Sequence, residues 1–357
     1  MTDPLPPGAT IGILGGGQLG RMLAVAASRL GYLSHIYEPG AAPAAQVAQA
    51  WIQAPYDDAA ALVAFARSVD VVTYEFENVP ADALDVIEAE VPIRPGRRAL
   101  VVSQDRQVEK TYLSGLGLAT APFAPVDDEG SLSTALDRIG TPAILKTRRF
   151  GYDGKGQAPL ATPDDAAAAL SALAGAPAVL EGHVDFAREI SVIVARSLSG
   201  EVAAFDPGEN VHEGGILRRT TVPAAISSAQ RADAVLLAGR IVTELDYVGV
   251  LGVELFVTRT GLVVNEIAPR VHNSGHWTQN GCAVDQFEQH IRAITGHPLG
   301  DGRRYADVTM ENLIGGDIAR VAELARTPDV ALHLYGKAEA RPGRKMGHIN
   351  RIHAATN

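Results

Sequence analysis

The sequence predicts a mixed architecture, α/β at its start and α+β after it. Three observations predict this. Short apolar runs alternate with helical stretches through residues 10–100, the pattern of a parallel sheet. Beyond residue 117 strand-like runs follow one another with only two or three helices between them. At 357 residues the chain exceeds one ordinary domain, so two or three units are expected.

In chain order, residues 10–14 (TIGIL) read as a strand, GGGQLG as a tight turn and RMLAVAASRLG as a helix. Residues 33–37 and 70–75 read as further strands, with an alanine-rich helix over 58–68 and a short strand at 91–93. Residues 104–117 read as a helix ended by glycine. Strands are then predicted at 143–146, 178–181, 189–195, 202–205, 249–257 and 262–267, with helices at 164–174, 228–246 and 284–295. The last segment carries a short apolar run at 313–315, a helix over 317–325 and the turn-rich stretch RPGRKMGHINR.

Composition narrows the function. The net charge of −10 argues against general nucleic-acid binding, which needs a basic face. It leaves room for anionic ligands held by local basic clusters. The single cysteine, Cys282, excludes an internal disulfide and a cysteine-rich zinc site, and fits a cytoplasmic setting. No long uncharged apolar run suggests a membrane span, and MTDPLPPGAT lacks the basic and apolar regions of a signal peptide.

Several segments carry chemistry. The turn Gly15-Gly16-Gly17-Gln18-Leu19-Gly20 follows a strand and opens a helix, so its N–H groups can meet an anion. Three readings stay open there: a dinucleotide site with Glu38 on a ribose, a site for one phosphate, and a turn without a ligand. Lys146 ends an apolar strand, and Gly151-Tyr152-Asp153-Gly154-Lys155-Gly156-Gln157 follows it. Such a loop can fold over phosphates and offer backbone donors; the plainer reading is a solvated hairpin. Glu181-Gly182-His183-Val184, then Glu189, can lie along a base and a ribose, or simply lead from strand to loop.

Glu254 and Glu266 each interrupt an apolar strand, and a Thr-Arg-Thr-Gly turn joins the two runs as a hairpin. Carboxylates in such runs are costly unless paired or bound to a cation. With Asn265 they form an oxygen-rich pair suited to magnesium and phosphates; exposed acids on an outer face are the alternative. The loop Ala268 to Thr278 is dense in polar donors, and Arg270 offers a fork for a carboxylate or bicarbonate. Its two histidines lack a third soft ligand for zinc. Arg341, Arg344 and Lys345 gather positive charge on a turn that invites a phosphate or is merely solvated.

In this order, GILGGGQLGRML, GYDGKGQ, NEIAPRVHNSGHWTQNG and RPGRKMGH resemble the ATP-grasp superfamily, and within it the N5-carboxyaminoimidazole ribonucleotide synthetase family of purine biosynthesis. The resemblance covers nearly the whole chain. It implies an ATP-grasp fold with a Rossmann-like domain over 1–103, an ATP-grasp domain over 104–298 whose lid spans about 120–185, and a small C-terminal domain over 299–357. The implied activity is ATP-dependent carboxylation of 5-aminoimidazole ribonucleotide by bicarbonate through carboxyphosphate, with ATP and Mg2+ bound and a homodimer as the assembly.

The resemblance also implies roles, position by position. Arg106 and Lys146 contact the ATP phosphates, and Gly151 to Gln157 cover them. Glu181 and Val184 form the adenine linker, Glu189 meets the ribose, and His212 is a further nucleotide contact. Asn265 and Glu266 serve ATP and magnesium, with Glu254 as the second metal acid. Arg270 and His272 hold bicarbonate or carboxyphosphate; Tyr152 and Asp153 orient the aminoimidazole; Gln18, Leu19, Arg341, Arg344 and Lys345 grip the ribonucleotide phosphate. Glu38 then loses its ribose role. Many relatives carry a further helical tail after RPGRKMGH, where about ten residues remain here; if that tail packs against the active-site side, stability or dimerisation would differ. A formate-using transformylase or biotin carboxylase-like ligase is the alternative within enzymes. A nicotinamide oxidoreductase would leave Glu254, Glu266 and the Arg270 loop unexplained, and a non-catalytic nucleotide sensor would not need every acid and lysine.

Overall fold

A computed structural model of the protein describes residues 3–151 and 154–356. Three sheets organise it. The first is parallel, with strands Ala50–Ile52, Leu33–Tyr37, Thr10–Leu14 and Val71–Tyr74 in that spatial order. Its central strands are apolar because helices cover both faces: Gln18–Arg29 packs on one side and Ala59–Ala66 with Ala81–Glu88 on the other. The expected strand at 91–93 reduces to one parallel bridge between Val72 and Ile93.

The second sheet is antiparallel and runs Gly261–Ala268, Gly249–Thr258, Arg188–Arg196, Gly208–Glu213, Ile216–Val222, Ala306–Ile314, Lys345–Ala354, Val330–Leu334, with Val202–Ala204 beside Arg188–Arg196. Helix Ser228–Glu244 covers one face through Ala234, Ala238, Ile241 and Val242; its capping box, Ser227 with Gln230, fixes the start. On another face, helix Gln286–Thr295 packs between this sheet and helix Gln18–Arg29, so one apolar core joins the first unit to the large sheet. The third sheet, Phe123–Val126, Ala178–Gly182, Ala143–Thr147, Gln157–Leu160, has its own small core under helices Glu129–Ile139 and Ala166–Ala172.

The C-terminal segment differs most from expectation. The turn-rich stretch after Arg341 is a turn only as far as Arg344; Lys345–Ala354 is a ten-residue strand inside the large sheet. Its buried positions include His348 and Asn350 rather than an apolar run. These polar groups find partners on other segments: Tyr335 Oη meets His348 Nδ1 at 2.8 Å, and Asn350 donates to Asn280 Oδ1 at 2.8 Å. The His276, His348 and His333 rings stack beside them. No helix among the described residues is long and apolar enough to cross a membrane.

Candidate active site

A cavity of about 540 Å³ opens where the three sheets meet. Its floor is the hairpin of Gly249–Thr258 and Gly261–Ala268. Glu254 and Glu266 are cross-strand partners there, yet the next pair is Leu255 with Val264, so Asn265 is an extra residue on its strand. Consecutive strand residues point to opposite faces. The bulge relieves that rule, and both Asn265 and Glu266 line the cavity with Glu254.

The charges around this floor are arranged in layers. Arg106 Nη1 donates to Glu266 Oε2 at 2.8 Å, and its Nη2 reaches the Gly151 carbonyl at 3.4 Å. Burial alone would raise the Glu266 carboxyl, but Arg106, with Lys146 behind it, outweighs that and holds it down at about 2. Burial and the Glu266 charge push Glu254 the other way, up to about 7. Asn265 Nδ2 donates to Glu254 at 3.4 Å. Beneath them Glu109, pushed up to about 8 by burial and by Glu266, accepts the Ile267 N–H. Two carboxylates this close cannot both ionise easily, and burial adds to the cost.

The other walls come from distant segments. Lys146, at the end of strand Ala143–Thr147, lines the cavity, and its Nζ lies 3.0 Å from Glu181 Oε2. Glu189 and His212 sit on neighbouring strands and meet at 2.6 Å. Burial would lower the His212 imidazole, but that contact and the charge of Glu254 raise it instead. Burial and then Arg270 push His272 down to about 3, so its ring is neutral near pH 7. Ser191 donates to Ser274, whose hydroxyl lies 2.8 Å from His272 Nδ1. That chain turns Nε2 toward Glu254 Oε1, 3.5 Å away. Arg270 is gripped by Glu77 through two contacts of 2.5 and 3.2 Å.

Most residues expected at a site do line this one. Gln18, Leu19, Arg106, Lys146, Gly151, Gly154, Lys155 and Gln157 are present, as are Glu189, His212, Glu254, Asn265, Glu266, Arg270, His272 and Lys345. Others do not. Arg341 is exposed and donates to Glu339 at 2.9 Å, and Arg344 donates to the Glu339 carbonyl at 3.1 Å. The turn folds back on Glu339, so of the basic cluster only Lys345 lines the cavity. Glu181 is buried, with Lys146 and Lys110 on its carboxylate. The Gly182 and His183 N–H groups are taken by the Pro122 and Pro142 carbonyls. Val184 lies off the cavity, and Gly156 closes the base of its hairpin through Thr147. Tyr152 and Asp153 lie outside the described residues.

The glycine turn also departs from expectation. The N–H groups of Gly17 and Gly20 donate to Glu75, and that of Gly16 to Glu38 at 3.1 Å. The anion nested in the glycines is the protein's own; a Cβ at Gly17 would collide with the Glu75 carboxylate. Sequence reasoning missed Glu75, Phe76, Glu77 and Asn78, all on the cavity. Their signal was available: they follow the carboxyl end of a parallel strand, where open α/β sheets bind ligands.

The chain is similar to known proteins over nearly its whole length. The ribonucleotide synthetase preATP-grasp domain family matches residues 8–104, the ATP-grasp domain family 111–287, and the phosphoribosylaminoimidazole carboxylase C-terminal domain family 309–357. An N5-carboxyaminoimidazole ribonucleotide synthase of Brucella melitensis is 55% identical over 356 residues, covering 99% of this chain and 98% of the relative. The crystal structure of N5-carboxyaminoimidazole synthetase from Staphylococcus aureus complexed with ADP is 37% identical, with a TM-score of 0.94 over 100% of this chain and 95% of that one. The synthase from Aspergillus clavatus, in complex with ADP and 5-aminoimidazole ribonucleotide, is 32% identical, with a TM-score of 0.91 over 98% and 94% of the two chains. With its parallel-sheet unit, its bulged pair of acids and its basic walls, the chain belongs to the N5-carboxyaminoimidazole ribonucleotide synthase family of ATP-grasp ligases.

Proposed function

We propose that this chain carboxylates 5-aminoimidazole ribonucleotide with bicarbonate at the expense of ATP. One observation carries the reading: Glu254, Asn265 and Glu266 share a single cavity with Arg106, Lys146, Arg270 and Lys345. The acids suit a cation and the basic groups suit two sets of phosphates.

Bicarbonate is a poor electrophile, and phosphorylation supplies its leaving group. A bicarbonate oxygen attacks the terminal phosphorus of ATP, giving carboxyphosphate and ADP. The exocyclic amine then attacks the carboxyl carbon, directly or as released carbon dioxide; phosphate leaves and the amine gives up a proton. Charge accumulates on phosphoryl oxygens in such transfers, so positioning and cationic groups dominate the catalysis. Arg106, Lys146 and the loop from Gly151 to Gln157 hold the nucleotide phosphates. The backbone from Glu181 to Val184 follows the adenine while the Glu181 side chain stays with Lys146 and Lys110, and Glu189 with His212 meets the ribose. Arg270 and the neutral His272 hold bicarbonate and carboxyphosphate, its mixed anhydride with phosphate. Gln18, Leu19 and Lys345 hold the ribonucleotide phosphate, and Tyr152 and Asp153 orient its ring.

The donor set fits magnesium. Among the described residues no three His, Cys, Asp or Glu side chains gather as a metal site, so two acids would be completed by phosphate oxygens, a common arrangement for this ion. Glu254 and Glu266 would hold it, and bound there it neutralises phosphate charge. The reading extends to domain limits at 103 and 298, a cytoplasmic location and a homodimer.

The test is coupled ADP release with each substrate omitted in turn. Release should require bicarbonate and the aminoimidazole ribonucleotide together with ATP. Stimulation by formate in place of bicarbonate would overturn the proposal, as would an NAD(P)H-linked absorbance change without ADP.

A further inference from the structure

Lys110 is the most deeply buried ammonium beside the cavity, 2% exposed, on helix Arg106–Gly115. Its Nζ lies 3.2 Å from Glu181 Oε2 and 3.3 Å from the Asn265 carbonyl. The same Glu181 oxygen lies 3.0 Å from Lys146. Two lysines therefore share one carboxylate in a poorly solvated space, and the group of three carries one surplus positive charge. Lys146 lines the cavity and Lys110 does not, so the surplus is presented through Lys146. Opposite charges in a low-dielectric interior attract strongly. Were Glu181 matched by Lys146 alone, that pair would be neutral and would offer the cavity little net charge.

We propose that Lys110 is a positioning residue for nucleotide binding: it neutralises Glu181 from behind and so leaves the charge of Lys146 available to the phosphates. Its contact with the Asn265 carbonyl also ties the bulge that aims Asn265 and Glu266 to the sheet that carries Lys146. The inference rests on the reading of Lys146 as a phosphate ligand.

Charge balance makes a prediction that packing does not. With magnesium present, Lys110→Met should weaken ADP binding at least tenfold by calorimetry and raise the KM for ATP, leaving that for the ribonucleotide within about twofold. Lys110→Met combined with Glu181→Gln removes one charge of each sign and restores the surplus on Lys146. ADP affinity should then return to within about threefold of the parent. Lys110→Arg should stay close to the parent. A double variant as weak as Lys110→Met, or weaker, overturns the proposal, as does a Lys110→Met protein that binds ADP normally. If Lys110→Met does not fold, the double variant decides alone: folded with near-parent affinity it upholds the proposal, unfolded or weak it overturns it. Lys146→Met separates the two levels. Normal ADP binding by that variant would refute Lys146 as a phosphate ligand, whatever Lys110 does.

Discussion

Replacing Glu266 by glutamine keeps the shape of the side chain and deletes its charge. Two effects on stability then oppose each other. The pair with Arg106 at 2.8 Å is lost, and with it the depression of the Glu266 carboxyl to about 2. A depressed acid stabilises the fold above its unfolded pKa, and that contribution fades as pH falls toward the folded value. Glu266 is 38% exposed, so after allowance for solvent screening the contribution near pH 7 is about 1–2 kcal/mol. Against this, Glu254 and Glu109 are both raised by the Glu266 charge and are relieved by its removal. The net change in unfolding free energy at pH 7 should therefore be small, on the order of 1 kcal/mol. Function should respond differently. A charge-assisted contact is worth about 1.5–3 kcal/mol, and the variant loses one to Arg106 and, on the role proposed above, one metal ligand. A fall of at least about a hundredfold in kcat/KM for ATP is expected, since each 1.4 kcal/mol is about a factor of ten. Urea unfolding and an ADP-release assay across a magnesium titration measure the two quantities. A folded variant with near-parent turnover at ordinary magnesium would refute the role given to this carboxylate.

Glu254→Gln should act in the opposite sense on stability. Because the folded carboxyl is raised to about 7, the folded state binds more protons than the unfolded between pH 4.5 and 7, and the parent loses stability as pH rises through that window. At pH 8 the variant should be more stable by about 1–3 kcal/mol and much less active; a less stable variant would contradict the buried, uncompensated acid. Lys345→Ala should chiefly raise the KM for the ribonucleotide, and an effect confined to ATP would place Lys345 on the wrong substrate. Gly17→Ala should cost about 1–3 kcal/mol in urea unfolding because its Cβ meets the Glu75 carboxylate, and an unchanged midpoint would show that the contact yields easily.

The parallel unit and the acid hairpin were legible because their signals are local: apolar strands, glycine turns and acids breaking apolar runs. The strand after Arg344 was hidden because His348 and Asn350 replace the usual apolar signal, and what satisfies them lies on other segments. Arg341 and Arg344 looked equivalent to Lys345 in sequence, but a turn that folds onto Glu339 separates them. Glu75 was missed for a related reason. Its meaning depends on glycines far back in the chain, with Gly17 and Gly20 donating to it across the sheet. The extra residue at Asn265 is invisible to spacing alone, since a regular strand would have sent Asn265 and Glu266 to opposite faces.

The large sheet carries the acids at one end and Lys345 on a strand four places beyond the one bearing Glu189, all within one continuous hydrogen-bonded ladder. Lys146 and the glycine loop belong to a different sheet with its own core. If the glycine loop covers the nucleotide as proposed, its movement would leave the distance from the acids to Lys345 nearly constant. On the roles proposed above, the ribonucleotide grip and the metal acids would be two jaws of one plate, and the cover a separate piece.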